Sequence, residues 1–351
     1  MSANPAILPS GPTQHGRDGD SAPPADDRGL IEALVGDGRP LVSFTGLALI
    51  LSGVFALFLA ATGHFLPHDE KFLGMTADRL CSLHGCRIVH FMYHDRGAFG
   101  GSIIAVGILY LWLAAFPLRD REPWAWWALC VNGGVGFASF LTYLGYGYLD
   151  TWHGAATLVL LPCFVWGMAR TFRTLRGRRR PGCLLRPGAV APWRTAFGAG
   201  RMCLMVTAAG LVAGGLVIMT VGVTSVFVPQ DLAYMGVSPD ELRAINPRLV
   251  PLIAHDRAGF GGGLCATGLT VAACAWCGRP SRGLWQALAA AGTVGFATAI
   301  GVHPLIGYVD VTHLAPAATV AVVFAAGILL CWRKMTRSEG TGRTRLAAEN
   351  Q

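Results

Sequence analysis

Charged side chains are scarce in this chain of 351 residues: Asp, Glu, Lys and Arg make up 14% of it, whereas 53% is hydrophobic. A soluble domain carries about 25% charged residues, so this chain has too few to cover a water-facing surface. Lysine occurs only at Lys71 and Lys334, and such a preference for arginine is typical of a GC-rich bacterial genome. The composition therefore favours a membrane protein over a soluble one.

The sequence also lacks the signs of two other protein classes. The net charge of +8 does not indicate a nucleic-acid partner, because the arginines cluster in short segments between apolar runs, as orientation signals do. The ten cysteines do not form a disulfide framework, since most lie inside apolar runs as small apolar fillers. Cys81 and Cys86 share one loop and would pair if that loop faces an oxidising compartment. We therefore expect the apolar surface of this protein to contact the lipid bilayer.

Apolar runs long enough to cross the ~30 Å hydrocarbon core of a bilayer recur along the chain. They predict eight spanning helices, at Leu41–His64, Ala98–Leu118, Pro123–Leu144, His153–Phe172, Met202–Phe227, Gly259–Cys277, Leu284–Val302 and Leu314–Trp332. The expected fold class is an all-α integral membrane protein.

The distribution of arginine predicts the orientation, because short cytoplasmic loops carry an excess of positive charge. Arginines follow the second, fourth, sixth and eighth runs, whereas the loops after the third and seventh runs contain no Lys or Arg. We therefore expect a multi-pass protein of the inner (plasma) membrane with both termini in the cytoplasm.

The chain also contains an internal repeat. His94-Asp95-Arg96 recurs as His255-Asp256-Arg257, and the segment Gly147–His153 recurs as Gly307–His313. Each half has four runs, an even number, so the two halves enter the membrane from the same side as parallel repeats about a pseudo-twofold axis along the membrane normal. The predicted segments are a disordered cytoplasmic tail (1–38), repeat 1 (39–172), a basic cytoplasmic linker (173–201), repeat 2 (202–333) and a cytoplasmic tail (334–351).

The repeated His-Asp-Arg stretch lies at the predicted outer end of a run and allows two interpretations. In one, the aspartate is a helix N-cap and the arginine reaches to lipid head groups. In the other, the histidine is a ligand or general base, the aspartate orients it and the arginine holds an anionic group. The candidate catalytic residues are His94, Asp95, Arg96, His255, Asp256 and Arg257.

A second repeated pattern, Asp-x-x-His, stands at the start of the last run of each half. At this spacing the two side chains share one helix face, and carboxylate with imidazole binds divalent metals, although Asp is also a common N-cap. If the second and fourth helices of one half adjoin, the two patterns of that half meet, and a metal ion or haem is the cofactor that they suit. The candidate metal ligands are His94, Asp150, His153, His255, Asp310 and His313.

The long loops before the second and sixth runs add four matched polar residues as candidate ligand-binding residues, Asp69, Arg87, Asp231 and Arg248. In the second of these loops, Ser238-Pro239-Asp240-Glu241 predicts a short helix with a capping box.

No charged residue lies in the middle of a predicted run, unlike in ion-coupled transporters. We therefore expect a membrane enzyme or redox component that acts on a lipid, a quinone or another interfacial ligand at the outer face. A small-molecule transporter with its path between the repeats and an accessory subunit without chemistry are the alternatives.

Overall fold

The computed structural model describes residues 29–141, 148, 151–177 and 179–337, and within them every regular element is a helix. The compact membrane unit begins at Val35. The α-helices of the described residues are α1 (Leu30–Val35), α2 (Arg39–Thr62), α3 (Pro67–Leu73), α4 (Ala77–Cys81), α5 (Arg87–Ala115), α6 (Pro123–Leu141), α7 (Thr151–Thr174), α8 (Ala196–Val223), α9 (Pro229–Met235), α10 (Pro239–Ile245), α11 (Leu249–Cys277), α12 (Arg282–Ile306) and α13 (Val311–Thr336).

Seven of these helices are long and apolar enough to cross a membrane: α2, α5 with the short turn that leads into it, α7, α8, α11, α12 and α13. The described residues therefore have the architecture of an all-α, multi-pass membrane protein, as the composition predicted. Helix α6 coincides with the described part of the third predicted run but is not among the seven. The last residues of that run, 142–144, lie outside the described part, so the eighth span stays a prediction.

Helices α5 and α11 form the centre of the bundle. In their most apolar windows 78% and 72% of the residues are buried, against 28% or less in the other five candidate spans. Helix α5 packs against α2 and α12, α11 packs against α8 and α6, and the two central helices pack on each other. The surrounding helices leave large apolar side chains such as Leu158 and Leu329 exposed, as a surface in contact with lipid does.

Glycines let the surrounding helices approach the two central ones. A Cβ atom on Gly53 of α2 would lie 2.5 Å from the carbonyl oxygen of Gly100 in α5. A Cβ on Gly215 of α8 would lie 2.6 Å from the carbonyl oxygen of Gly261 in α11. Membrane helices associate through such small residues because close backbone approach increases the van der Waals contact.

The two central helices begin earlier than the sequence predicted. We expected Ala98–Leu118 and Gly259–Cys277, but α5 begins at Arg87 and α11 at Leu249. Each His-Asp-Arg stretch therefore lies inside a helix, about two turns from its N-terminus, and the N-cap interpretation of its aspartate is wrong. The charged residues of these stretches thus lie within candidate spans, about a third of the way along α5 and α11 and not in their middle. A hydropathy criterion ends a predicted span at the first charged residues. Here those residues lie inside the helix, because they pair with charged residues of the facing helix.

The loops before α5 and α11 fold into short helices that cover the ends of the central pair. Ser238 and Glu241 form the predicted capping box, in which the Ser238 N–H donates to Glu241 Oε2 at 2.6 Å and the Glu241 N–H donates to Ser238 Oγ at 3.2 Å. In the first loop Cys81 and Cys86 form a disulfide. Apolar side chains of both loops, including Leu80 and Leu242, are fully buried in one cluster with residues of α5 and α11.

Candidate functional site

The charged residues of α5 and α11 pair across the interface between the two helices. Arg96 Nε donates to Asp256 Oδ2 at 3.0 Å, and Arg257 Nε donates to Asp95 Oδ2 at 3.1 Å. None of the four side chains is more than 11% exposed. Each arginine thus meets a carboxylate of the other helix, and this pairing offsets the high cost of placing charges inside an apolar bundle.

A second carboxylate contacts each arginine from a short loop helix. Arg96 Nη2 lies 2.9 Å from Asp69 Oδ2 of α3, and Arg257 Nη2 lies 2.7 Å from Asp231 Oδ2 of α9. Both aspartates are fully buried, and each also accepts the backbone N–H three residues before it, at 3.2 and 2.9 Å. The oxygens of these two candidate ligand-binding residues are therefore occupied by protein donors, and they fasten the loop helices to the central pair.

The other two candidate ligand-binding residues lie farther from the centre. Arg87 Nη1 donates to the carbonyl oxygen of Tyr234 at 3.4 Å, and Arg248 Nη1 donates to that of Phe72 at 2.6 Å. Each arginine thus holds a short helix of the loop that belongs to the other half of the sequence. Both lie outside the buried group formed by Arg96, Arg257 and their four aspartate partners, which we call the charged centre.

Three histidines from three helices meet beside the pair formed by Arg257 and Asp95. Nε2 of His94 in α5 lies 3.0 Å from Nε2 of His303 in α12. One ring nitrogen of each of these two and of His313 in α13 lies within 4.8 Å of the others. His94 and His303 are 4% exposed and His313 is half-buried. Three converging imidazoles are a ligand set typical of transition metals. We call these three residues the histidine cluster.

Hydrogen bonds define the tautomers of two rings in the histidine cluster. His94 Nδ1 lies 2.9 Å from Asp95 Oδ1 and donates to it, so Nε2 of that ring carries a lone pair. The Tyr308 hydroxyl donates to Asp231 Oδ1 at 2.9 Å, so His313 Nδ1, which lies 3.2 Å from the same hydroxyl, is the donor of that contact. Burial and the Asp231 charge hold the pKa of Tyr308 above its usual range, which keeps this hydroxyl protonated.

The structure combines the predicted metal ligands differently from the sequence expectation. The rings of His94 and His313, from different halves, have centroids 5.7 Å apart, and those of His153 and His255 are 5.4 Å apart. The expected grouping of His94 with His153 is therefore wrong. It assumed that each half packs on itself, whereas α12 packs on α5 and α6 packs on α11.

Of the two predicted aspartate ligands, Asp310 does not join the histidine cluster. Asp310 is the N-cap of α13 and accepts the His313 N–H at 2.7 Å. Hydrogen bonds from the Thr312 hydroxyl and from that N–H lower the pKa of Asp310. Asp150 lies outside the described residues. The simple capping alternative thus describes the Asp310 carboxylate.

Sequence reasoning missed His303. This residue has no histidine counterpart in the first half, so the comparison of the repeats passed over it. Its signal was a titratable side chain in the last turn of a membrane helix, followed at once by Pro304. Such residues in membrane helices are rare and mark functional sites by default.

Two apolar cavities adjoin the charged centre. The larger, of about 420 Å³, lies among α8, α11, α12 and α13, and the histidine cluster forms part of its wall. The smaller, of about 230 Å³, lies among α2, α5, α6 and α7 and reaches Arg96, His153 and Asp256. Each cavity therefore joins an apolar chamber to one side of the charged centre.

The two arginines differ in what they can offer a ligand. Arg257 uses all three nitrogens within the protein, on Asp95, on Asp231 and on the carbonyl oxygen of Val226 at 2.9 Å. Nη1 of Arg96 is buried and has no hydrogen-bond partner among the described residues. An anionic group that binds Arg257, as the sequence predicted, would therefore have to displace a protein acceptor. At Arg96, by contrast, Nη1 can donate to such a group without displacing a described residue.

No protein-family model matches this chain, and no curated protein or solved structure matches it either. What the protein does must therefore be inferred from the side chains of this site.

Proposed function

We propose that this protein is a membrane enzyme or redox component that acts on an amphipathic ligand of the quinone type in the larger cavity. The main support is the composition of the cavity wall. Side chains such as Leu264, Phe260 and Val320 line its length, and the histidine cluster lies at its polar part. Ligand sites are usually apolar with a few placed polar groups, and this division matches an apolar tail with an oxygen-bearing ring.

The polar groups of the larger cavity favour a neutral head group. Besides the histidine cluster, Gln230 and Thr312 contribute polar side chains to its wall. Arg257 also lines the cavity, but its nitrogens are engaged by protein oxygens. Imidazoles both donate and accept hydrogen bonds, which suits the carbonyl and hydroxyl forms of a quinone better than it suits a phosphate.

The packing at the centre of the bundle favours this function over transport between the halves. The Thr267 hydroxyl of α11 lies 3.3 Å from the carbonyl oxygen of Ser102 in α5. A Cβ on Gly263 would lie only 3.4 Å from the Ser102 side chain. A transporter of the expected kind needs a path along this interface, where α5 and α11 instead pack directly.

We also propose the finer architecture, eight spans in two parallel four-helix repeats. The crossed pairs of Arg96 with Asp256 and of Arg257 with Asp95 support it, because each is the counterpart of the other in the repeat. An outward position of the loops before α5 and α11 in the inner membrane is supported by the disulfide in the first of them, since disulfides persist in oxidising compartments.

The proposal is tested by ligand binding to the full chain in lipid nanodiscs. Leu264→Trp fills the larger cavity, and Ile103→Trp makes the same change at the matching position of the repeat, on the wall of the smaller cavity. With decylubiquinone as the probe, we expect Leu264→Trp to weaken binding at least about tenfold, roughly 1.4 kcal/mol, and Ile103→Trp to leave it within about twofold.

Two results would contradict the proposal. One is no saturable binding of decylubiquinone to the unmodified protein. The other is equal loss in both variants, which would place the ligand elsewhere or indicate general damage. Thermal unfolding of both variants serves as the control for damage.

A further inference from the structure

We infer that the histidine cluster binds one divalent transition-metal ion, with His94, His303 and His313 as ligands. This deepens the proposed function, since the metal would lie at the polar part of the larger cavity. The site differs from the metal sets that the sequence suggested, because it draws on both halves and includes His303.

The contact between His94 and His303 can be made in two ways. Their Nε2 atoms lie 3.0 Å apart, and hydrogen bonding of His94 Nδ1 to Asp95 leaves a lone pair on His94 Nε2. In the apo protein His303 Nε2–H donates a hydrogen bond to this lone pair, and loss of that one proton frees both nitrogens to bind a cation. A metal with bonds of about 2.0–2.1 Å to imidazole nitrogen holds adjacent ligand atoms about 3.0–3.4 Å apart, so this pair already has the required spacing.

The third ligand needs a modest adjustment. All three nitrogens lie within 4.8 Å of one another, whereas adjacent ligands of one metal lie about 3.0–3.4 Å apart at these bond lengths. Closing the set therefore requires a side-chain movement of up to about 1.4 Å. His313 lies at the first turn of α13, where a helix end permits such a shift more readily than its middle does.

The groups behind the ligands are those that metal sites use. Ligating histidines usually donate their second N–H to a carboxylate or another acceptor, which fixes the tautomer and raises the basicity of the ring. Asp95 accepts from His94, and the Tyr308 hydroxyl, itself bound to Asp231, faces Nδ1 of His313. Both arrangements leave Nε2 for the metal.

The buried charges favour a cation at this place. On the side of the histidine cluster, Asp95 and Asp231 contact the single guanidinium of Arg257, which leaves one negative charge in excess. A metal with three neutral imidazole ligands would offset this excess in a region of low dielectric, where uncompensated charge is costly.

The site is expected once in each chain. At the position that matches His303 in the first half, the sequence has Tyr143 or Leu144, depending on the exact alignment. The opposite side therefore offers His255 and His153 without a matching third histidine. Three protein ligands leave at least one coordination position open, and in the proposed function an oxygen of the ligand in the larger cavity would occupy it.

The test measures metal content and cobalt spectra of the full chain in detergent. The protein is stripped with EDTA, dialysed against Zn²⁺ or Co²⁺ and desalted. We expect about one ion per chain and, with Co²⁺, visible absorption bands of nitrogen coordination. His303→Ala and His313→Ala should lose the ion, and Tyr308→Phe, which removes only a supporting group, should weaken binding about 10–100-fold. His153→Ala, on the opposite side, is the matched control and should keep the stoichiometry.

Either of two outcomes would overturn the inference. If the unmodified protein retains neither metal at saturating concentration, the two Nε2 atoms share a proton. If His303→Ala and His313→Ala bind as the unmodified protein does, the metal lies elsewhere. Decylubiquinone binding, measured on the same preparations, separates the two proposals. Metal without quinone contradicts the proposed function alone, and quinone without metal contradicts this inference alone.

Discussion

Arg257 shows how single residues hold this protein together. Its guanidinium, on α11, binds Asp95 of α5, Asp231 of the loop helix α9 and the carbonyl oxygen of Val226. The side chain is only 7% exposed. Removal of one partner from a buried ion pair is costly because it leaves an uncompensated charge. The buried charge of Arg257 therefore contributes to the stability of the folded bundle.

We expect Arg257→Ala to lower the free energy of unfolding by about 3–5 kcal/mol, because two buried carboxylates lose their counterion. Arg279→Ala is the control, since Arg279 is 80% exposed and lies 3.5 Å from Glu122, a pair worth about 1 kcal/mol or less. Both values can be measured by SDS-induced unfolding in mixed micelles. Equal effects of the two substitutions would show that Arg257 is not a buried counterion in the membrane.

At the scale of helices, the bundle depends on the close contact of α2 with α5 and of α8 with α11. Small residues at these contacts leave no room for a side chain, as at Gly53 and Gly215. Because lipid offers no hydrophobic force between helices, their association depends on such packing and on interhelical polar contacts. One polar contact of this kind is Asn132 of α6, which accepts from the Tyr110 hydroxyl of α5 at 2.6 Å and donates to the carbonyl oxygen of Ala266 in α11 at 2.5 Å.

We expect Gly53→Val to destabilise the protein by about 1–3 kcal/mol, the usual cost of forcing extra atoms into a packed contact. The added Cβ would lie 2.5 Å from the Gly100 carbonyl oxygen, so α2 must move away from α5. Gly134→Val is the control, since nothing lies within 4 Å of a Cβ built there. Thermal unfolding in detergent distinguishes them, and similar melting temperatures would mean that α2 and α5 are farther apart than described.

At the scale of the whole molecule, the two halves of the sequence are interleaved. Helix α12 packs on α5 and α6 packs on α11, so each central helix is enclosed by helices from both halves. Neither half therefore encloses its own charged residues, and the histidine cluster exists only in the assembled bundle. The basic linker and the loops before α5 and α11 should lie on opposite sides of the membrane if the arginine bias sets the orientation.

Single cysteines test this orientation. Val190 in the basic linker is 92% exposed, and the Asp240 side chain in α10 is 93% exposed. We expect a membrane-impermeant maleimide to label Asp240→Cys in intact cells, and to label Val190→Cys only after the membrane is permeabilised. The unmodified chain, whose free cysteines are buried or half-buried, gives the background. The reverse pattern would mean that the orientation predicted from arginine is inverted.

The sequence by itself determined the membrane character of the chain, the approximate positions of its long helices, the capped helix at Ser238 and the repetition of the His-Asp-Arg stretch. These follow from hydropathy, local capping chemistry and repetition, which are properties of neighbouring residues. The tertiary structure decided the rest. It placed the charges within α5 and α11 because their partners lie on the facing helix, and it joined His94 to His303 and His313 because α12 packs across the two halves. Contacts between residues some two hundred positions apart leave no local pattern, so only the packed bundle could reveal that cluster.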